Sequence, residues 1–218
     1  MSNNIHFKAV GNERELSDVF RLRYRVFGEE FGYISAGKEF DLYDRVATNF
    51  LAYGEGETVG TIRIINEPDL EKLSGNPDIV RDGRVRFPIE KEVDLSEYRN
   101  GEGNIVEVSR LVILPQFRHT GVSMGLFACI YHFTERYDID DLFIIANCEM
   151  DSRDQEDLND KERVKIPDLY TKIGFKSLTE PFFYRDFDAW AVPMHMEART
   201  LPGQYKQIFE KLKDRIEF

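Results

Sequence analysis

The stretch from Asn104 to Phe127, NIVEVSRLVILPQFRHTGVSMGLF, limits the possible folds of this chain more than any other part of it. Its first half is an apolar strand, Ile105 to Leu114, that carries one carboxylate and one guanidinium. The strand ends at Pro115, because proline cannot donate a ladder hydrogen bond. Apolar residues then recur at helical spacing, which predicts a helix from about Thr120 to Tyr137. Residues 141–148, DLFIIANC, form a second apolar strand, and the helix between the two strands predicts that they are parallel.

Further strands and helices are predicted on both sides of this unit. Before it, the pattern indicates a strand over residues 5–10, a helix that begins at Glu13 with Asn12 as its cap, and a hairpin over residues 49–65. After it come a short helix between Pro167 and Gly174, aromatic strands around residues 182–196 and an amphipathic helix over residues 202–216. No repeat or shift in composition marks a boundary, so we predict one α/β domain over residues 1–218.

Three segments have less regular patterns. Residues 28–47 are predicted to form an ordered loop. Residues 66–103 contain three prolines and are long for a connection, so we predict an insertion with short helices near a substrate site. Residues 149–165 are densely charged and predict either a solvated loop or an exposed helix.

The charge and the cysteines exclude several classes of protein. Forty acidic against 29 basic residues give a net charge of −11 at pH 7, which disfavours general nucleic-acid binding. Cys129 and Cys148 lie in apolar stretches and are expected to be free thiols in a reducing compartment. We find no signal-peptide pattern and no run of ~18 apolar residues, so we expect a cytoplasmic protein. The four histidines lack metal-ligand spacing, and no metal site is expected.

The turn between the strand and the helix has the composition of an anion site. Backbone N–H groups at a helix start are unsatisfied and attract phosphate oxygens, and small residues allow a phosphate to approach them. The turn favours this function and an ordinary strand–helix connection about equally. Its residues are Gln116, Phe117, Arg118, His119, Thr120, Gly121, Val122 and Ser123.

This turn, Pro-x-x-Arg-x-x-Gly-x-Ser, followed by Leu169-Tyr170-x-x-Ile173-Gly174-Phe175, resembles the GCN5-related N-acetyltransferase (GNAT) superfamily. The resemblance implies a GNAT-like domain with a mixed central β-sheet flanked by helices. It implies that the turn holds the pyrophosphate of coenzyme A or the phosphopantetheine of an acyl carrier protein. Backbone N–H groups near Leu111 to Ile113 would stabilise the thioester oxyanion if the strand separates from its parallel neighbour. Tyr170 would protonate the departing thiolate, although a core aromatic is an equal alternative.

The first half of the chain is similar to the acyl-homoserine lactone synthases and the N-acyl amino acid synthases. Tyr33 stands where lactone synthases carry tryptophan, and the turn at Arg118 has a form that these synthases largely lack. Both features favour the amino acid branch. The matched positions are Arg23, Phe27, Tyr33, Asp41, Asp44, Arg63, Glu107 and Arg110.

The resemblance and the chemistry of amine acylation together assign roles. Glu107 is the candidate base that removes a proton from the attacking amine, and an organising ion pair with Arg110 is an equal alternative. A regular strand would place these two side chains on opposite faces, whereas a bulge, which the resemblance implies, would bring them together. A charged network is expected to shape the pocket, with Arg63 facing a substrate carboxylate. Phe27, Tyr33 and Phe87 are expected to border the acyl chain. The network residues are Arg23, Asp41, Asp44 and Arg63.

The acyl donor is expected to be an acyl carrier protein, with acyl-coenzyme A as the alternative and an amino acid as the acceptor. Because carrier proteins are acidic, docking requires a basic patch. The candidates for that patch are Arg118, His119, Lys206, Lys211, Lys213 and Arg215. The competing functions are a lactone synthase that uses S-adenosylmethionine, an acetyl-coenzyme A-dependent acetyltransferase and a non-catalytic acyl-binding sensor.

Overall fold

A mixed sheet of nine strands forms the centre of the computed structural model, which describes residues 5–101, 103–150, 164–165 and 168–218. The helices in the described residues are α1 Glu13–Arg23, α2 Glu67–Leu70, α3 Ser96–Arg99, α4 Val122–Tyr137, α5 Asp168–Ile173 and α6 Gly203–Leu212. The strands are β1 His6–Ala9, β2 Thr48–Gly54, β3 Glu57–Asn66, β4 Val80–Arg81, β5 Arg84–Val85, β6 Asn104–Ile113, β7 Ile139–Asn147, β8 Glu149–Met150, β9 Val164–Lys165, β10 Lys176–Ser177, β11 Phe182–Tyr184, β12 Ala189–Glu197 and β13 Ile216–Glu217. The sheet order is β10-β12-β7-β6-β3-β2-β1-β13, with β11 also paired to β12.

The predicted strand–helix–strand unit is present as β6, α4 and β7. The two strands are parallel and pair from Asn104 with Ile139 to Val108 with Ile144. Beyond that point β7 continues to pair with β12, whereas β6 pairs with β3 on its other side. The strands β6 and β7 therefore separate after Val108, and the sheet opens there. The prediction of one α/β domain with a mixed sheet and flanking helices is confirmed.

Helix α1 begins as predicted and then extends into a segment that we expected to be a loop. The Asn12 side chain accepts a hydrogen bond from the Glu15 N–H at 3.0 Å. After Arg23 the helix widens into a π-helix over Tyr24–Glu30. Its last turn is closed by the Phe27 carbonyl, which accepts the N–H groups of Tyr33 and Ile34. The expected loop over 28–47 is thus wrong in part, because wider winding does not follow the 3.6-residue period by which helices are recognised.

Residues 66–103 pack as a separate layer against the sheet. They contain α2, α3, the small hairpin β4–β5, which the sequence did not indicate, and three turns of 3-10 helix. Their apolar side chains form a second core with Ile65, Ile105 and Phe143 of the sheet. This layer carries one 3-10 turn, Pro88–Lys91, to the edge of the opening between β6 and β7.

Most of the charged segment 149–165 lies outside the described residues, so neither of its predicted forms is described. Its ends, β8 and β9, pair with each other antiparallel. In the described part of the chain, no helix has the length and hydropathy of a membrane span.

The contact between α4 and the sheet depends on Gly125. A Cβ atom at this position would lie 1.9 Å from Cζ of the buried Phe7 ring. We expect Gly125→Ala to lower the free energy of unfolding by about 1–3 kcal/mol, because the ring and the helix must move apart. Urea unfolding measures this change. Gly203→Ala is the control, since nothing lies within 4 Å of its added methyl group; equal unfolding midpoints for the two variants would contradict the expectation.

Candidate active site

A cavity of about 730 Å³ occupies the opening between β6 and β7. The π-helix and the segment after it form one wall, and α4 and α5 contribute Phe127 and Tyr170 from below. The strands contribute Arg63, Glu107 and Arg110. The other aromatic lining residues are Phe27, Phe31, Tyr33, Phe40, Tyr43, Tyr184 and Phe187. The cavity therefore joins charged groups on the sheet to an aromatic surface around them.

A β-bulge places both charged residues of β6 at this cavity. Arg63 is opposite Ser109 and Thr61 is opposite Val112, so β6 has one more residue than β3 between these pairs. Arg110, with φ of 57°, is in the left-handed region, where a side chain leaves the normal alternation of a strand. The bulge that the resemblance implied is thus present. It brings Arg110 to the same cavity as Glu107.

The Glu107 carboxyl is almost completely buried, with 2% of the residue exposed. Its Oε2 atom accepts a hydrogen bond from the Ile89 N–H at 2.8 Å. Burial raises the pKa of Glu107 to about 7; the Ile89 N–H and the guanidinium of Arg63 oppose this rise, and Asp41 adds to it. A carboxyl group with a pKa near the working pH is able both to accept and to release a proton. Glu107 therefore lies at the cavity with a pKa close to neutrality.

A chain of ion pairs lies beside Glu107. Arg63 contacts Asp41 at 2.7 Å and Asp44 at 3.2 Å, and it is 1% exposed. Arg23 pairs with Asp44 at 2.8 Å, and Arg110 pairs with Asp41 at 2.7 Å. Although burial opposes it, Arg63 and Arg110 hold the pKa of Asp41 well below its usual value. Two aspartates thus link three arginines, and three of these five residues, Arg23, Arg63 and Asp44, are almost completely buried.

The ion-paired residues and Glu107 together form a charge set whose net charge depends on the protonation of Glu107. The set consists of three guanidinium groups and the carboxyl groups of Asp41, Asp44 and Glu107. The set is neutral when Glu107 is ionised and carries one excess positive charge when Glu107 holds a proton. A proton accepted by Glu107 therefore creates a need for one negative charge near the cavity.

Among the described residues, Glu107 and Arg110 do not form the ion pair that was the alternative to a role of Glu107 as the base. Within the described residues, Arg110 forms its ion pair with Asp41, and Glu107 instead accepts the Ile89 N–H. Arg110 also lies over the Phe187 ring, 4.7 Å from its centroid. The Asp41 carboxylate is available to Arg110 because the capping box of the turn Leu42–Arg45 fixes it there.

Three predicted substrate residues lie behind the cavity instead of lining it. Arg23 is completely buried against Asp44 and Asn49, and the Asp44 side chain is 4% exposed. Phe87 belongs to the second core, where the Arg99 guanidinium lies 5.4 Å from its ring centroid. Phe87 therefore does not border the cavity, because the 3-10 turn after it directs Pro88 and Lys91 to the opening. Phe27, Tyr33, Asp41 and Arg63 do line it.

The turn before α4 has the predicted shape. His119 and Gly121 have φ values of 63° and 91°, and the Thr120 hydroxyl donates to the Phe117 carbonyl at 2.6 Å. Among the described residues, no side chain caps the first turn of α4, so its N–H groups at Val122 and Ser123 are available to an anion. Glycine at 121 is required because this φ is strained for other residues.

Arg118 of this turn is held by an acidic partner. Its guanidinium makes two hydrogen bonds to the Glu30 carboxylate, at 2.6 and 2.7 Å, and lies 5.3 Å from the Phe31 ring centroid. Its Nε donates to the Ile113 carbonyl at 3.1 Å. Arg118 thus joins the π-helix to the turn, and Gln116 and His119 are exposed beside it.

The predicted basic patch is divided. Lys206 lies over the Tyr131 ring, and α6 packs against the second half of α4, where the Phe209 carbonyl contacts His132. Tyr131 is ten residues after Gly121, about 15 Å along the helix axis. Arg215 donates to the Ile5 carbonyl at 2.6 Å. The cations of the last helix therefore do not form one surface with Arg118.

Tyr170 lies at the cavity floor between Phe127 and Phe175, with ring centroids 6.1 and 6.3 Å away. Burial raises the pKa of its hydroxyl to about 12, so this group keeps its proton at neutral pH. It is able to serve as a proton donor and also as a packing aromatic.

Two contributors to the site had no clear signal in the sequence. The Ile89 N–H is a backbone group, which any residue except proline possesses. Phe187 was grouped with the aromatic strands, but it follows β11 in a turn and contacts Phe27 edge-on at 5.1 Å. The aromatic density of residues 182–187 was the available signal, and periodicity alone assigned it to strands.

One protein-family model matches part of the chain. Residues 22–128 match the model of the acetyltransferase (GNAT) domain, a span that includes β6, its bulge, the turn and the start of α4. This span therefore carries a GNAT domain, and the predictions of a GNAT domain and of an acyltransferase are confirmed. No curated protein sequence matches the chain.

Several solved structures share the fold at low sequence identity. The N-acyl amino acid synthase FeeM from uncultured soil microbes is 18% identical with a TM-score of 0.65, over 90% of this chain and 92% of that one. The coenzyme A-dependent acyl-homoserine lactone synthase BjaI, solved with MTA, is 17% identical with a TM-score of 0.60, over 98% and 93%. The AHL synthase LasI is 15% identical with a TM-score of 0.56, over 89% of each chain. The branch indicated by the sequence is thus represented among the structural neighbours.

Proposed function

We propose that this acyltransferase is an N-acyl amino acid synthase, which moves a long-chain acyl group from a phosphopantetheine thioester to the amine of an amino acid. The observation that carries the proposal is the buried Glu107 carboxyl beside a set of arginines and aspartates whose charge it controls. An amine acceptor must lose a proton before it attacks, and Glu107 is the base at the cavity.

The charge of the set favours an acceptor with its own carboxylate. When Glu107 takes the proton of the ammonium group, the set gains one excess positive charge. An amino acid brings the balancing carboxylate, whereas a simple amine does not. Arg63 is too buried to meet it directly, and the more accessible cations of the lining are Arg110, Lys38 and Lys91. The acceptor carboxylate is therefore assigned to these three residues, in place of Arg63.

The reaction then follows in two steps. The neutral amine attacks the thioester carbonyl, and N–H groups of Leu111 to Ile113, where β6 has left β7, face the developing oxyanion. The C–S bond breaks as the amide forms. Tyr170 gives its proton to the thiolate and recovers one from the amide nitrogen, so that each turnover releases one proton in total.

The open N–H groups before α4 and Arg118 are assigned to the phosphate of the donor arm. The acyl chain is assigned to the apolar lining around Phe27, Ile62, Val108, Phe127 and Ile144. A carrier protein remains the proposed donor. Acyl-coenzyme A is the alternative, and the divided basic residues, which provide no single docking patch, count in its favour. The free thiols Cys129 and Cys148 accord with a reducing, cytoplasmic setting.

One observation favours a second function, lactone synthesis from S-adenosylmethionine. Phe31 and Tyr33 stack at 5.1 Å, and Tyr184 and Phe187 stack at 5.4 Å at the same cavity. Aromatic faces attract a cation such as a sulfonium. That reaction would release methylthioadenosine and yield an acyl-homoserine lactone.

Mass spectrometry of lipids from cells that overproduce the protein tests the proposal, with Glu107→Gln as the control. A new N-acyl amino acid that is absent from the control supports it and identifies the acid and the chain. An acyl-homoserine lactone would establish the second function. Acetylated amines, or binding of acyl-coenzyme A without turnover, would overturn both in favour of an acetyltransferase or a sensor.

Tyr170→Phe tests the proposed proton donor. We expect kcat to fall by about 10- to 100-fold with little change in KM, because only the departing thiolate loses a partner. Single-turnover kinetics with the purified protein measures this step. Tyr205→Phe on α6, which removes a hydroxyl outside the cavity lining, is the control. An unchanged kcat for Tyr170→Phe would leave this ring with a packing role only.

A further inference from the structure

The hydrogen bond to Glu107 comes from the layer formed by residues 66–103. Ile89 lies in the turn Pro88–Lys91, and this turn is fixed from within by Glu90. The Glu90 Oε2 atom accepts the Phe87 N–H at 2.7 Å and an Arg99 Nη1–H at 2.8 Å. The orientation of the Ile89 N–H therefore depends on one carboxylate and its arginine.

Arg99 is a buried anchor for this turn. Its side chain is 3% exposed, and it also donates to the Val85 carbonyl at 2.9 Å and to Glu67 at 2.7 Å. Its Nη2 is buried without a hydrogen-bond partner among the described residues. Burial of the unpaired Nη2 costs free energy, and the contacts of Arg99 with Glu90, Glu67 and the Val85 carbonyl offset this cost.

We infer that Glu90 and Arg99 are positioning residues that hold the Ile89 N–H against the Glu107 carboxylate. The inference rests on the proposed function, in which Glu107 is the base. It extends the working site to side chains that lie outside the cavity and that the family match does not single out. Neither residue touches the substrates; both act through the turn Pro88–Lys91.

The effect on Glu107 follows from hydrogen-bond chemistry. An N–H donor stabilises the ionised carboxylate, so its loss raises the pKa of Glu107 further above 7. The other groups that face Glu107 are Arg63 on β3, Arg110 on β6, Asp41 before the 3-10 turn, and the phenols Tyr43 and Tyr184. None of these belongs to residues 66–103, although the Glu90 charge also acts on Tyr43. Loss of that negative charge would by itself lower the pKa of Glu107, so a rise reports the loss of the Ile89 hydrogen bond.

A matched pair of variants tests the inference, since Arg99 has two carboxylate partners. Glu90→Gln and Glu67→Gln each remove one charge beside Arg99, but only Glu90 also fixes the turn that carries Ile89. The carbon-13 signal of the Glu107 carboxyl, assigned with Glu107→Gln, is titrated in each protein without substrate. We expect Glu90→Gln to raise the pKa of Glu107 by about one unit and Glu67→Gln to leave it unchanged.

The pH profile of kcat/KM supplies the second readout, and its rising limb on the acidic side is expected to move with the carboxyl signal. Equal shifts in the two variants, or no shift in Glu90→Gln, would overturn the inference. If Glu90→Gln does not fold, Arg99→Lys is the second variant. It keeps the buried charge but loses the planar guanidinium that contacts Glu90 and Glu67 together, and it is expected to raise the pKa of Glu107 in the same way. The titration needs no turnover, so it tests the positioning role of Glu90 and Arg99 independently of the proposed function. A failure of the proposed function would instead appear as an active Glu107→Gln protein.

Discussion

Glu107→Gln is expected to lower kcat/KM for acyl transfer by about 100- to 10,000-fold, because the amide cannot accept the proton of the acceptor amine. The shape of the side chain is retained, so the cavity and the Ile89 hydrogen bond remain. In the unmodified protein, kcat/KM is expected to rise with pH through about 7, where Glu107 becomes ionised, and to be constant above it. Steady-state assays across pH 5.5–9 measure both effects.

Glu57→Gln is the matched control for activity. Glu57 is an exposed carboxylate at the start of β3, paired with Arg25 and outside the lining of the cavity. It should retain full activity and an unchanged pH profile. A Glu107→Gln protein that keeps most of its activity would remove Glu107 from the chemistry and reduce it to a structural role.

Glu107→Gln should also stabilise the fold at neutral and higher pH. The folded pKa of Glu107, about 7, lies above the ordinary value of 4.5, so the folded state binds the proton more tightly than the unfolded state. Stability is therefore lost as pH rises from 4.5 to 7, and the loss is complete above this range. We expect Glu107→Gln to exceed the original protein by about 3 kcal/mol at pH 8 and by little at pH 4.5, as measured by urea unfolding.

Asp44→Asn is expected to cause the largest loss of stability, about 3–5 kcal/mol, because it leaves two buried guanidinium groups without their shared carboxylate. Arg23 and Arg63 are 0% and 1% exposed, so water cannot replace the lost partner. Thermal and urea unfolding at pH 7 measure the change. Burial would raise the pKa of Asp44, but Arg63 and Arg23 outweigh it and lower this pKa below its ordinary value of 3.8. The stabilisation is therefore fully present above about pH 3.8 and is lost as the pH falls further.

Asp186→Asn provides the comparison. Its ion pair with Lys91 has the same type of contact at 2.9 Å, but both side chains are about half exposed. We expect a change below about 0.5 kcal/mol. If Asp44→Asn were as mild as this control, the buried arginines would have to find other partners on relaxation, and the charge set would not be the rigid group that the structure describes.

The sequence predicted the elements that follow a period and the positions that follow a motif. The β6–α4–β7 unit was recognisable because its apolar residues recur at two regular spacings, and Asp41, Arg63 and Arg110 were selected by resemblance before any contact was known. What each side chain contacts was not predictable, because partners such as Arg110 and Asp41 are 69 residues apart and their pairing depends on a bulge in β6. The π-helix, the displacement of Phe87 and the Ile89 N–H were missed for the same reason: each depends on local backbone geometry that residue type does not encode.

The buried ion pairs also limit how such a site can diverge. Loss of any one member leaves an unmatched charge beside its neighbours, so single substitutions at Arg63, Asp41 or Asp44 pass through an unstable protein. Phe31, by contrast, is 45% exposed, and Tyr33 is half-buried against it. Related proteins that use a different acceptor are therefore expected to differ first at these exposed aromatic residues, while the buried arginines and aspartates stay the same.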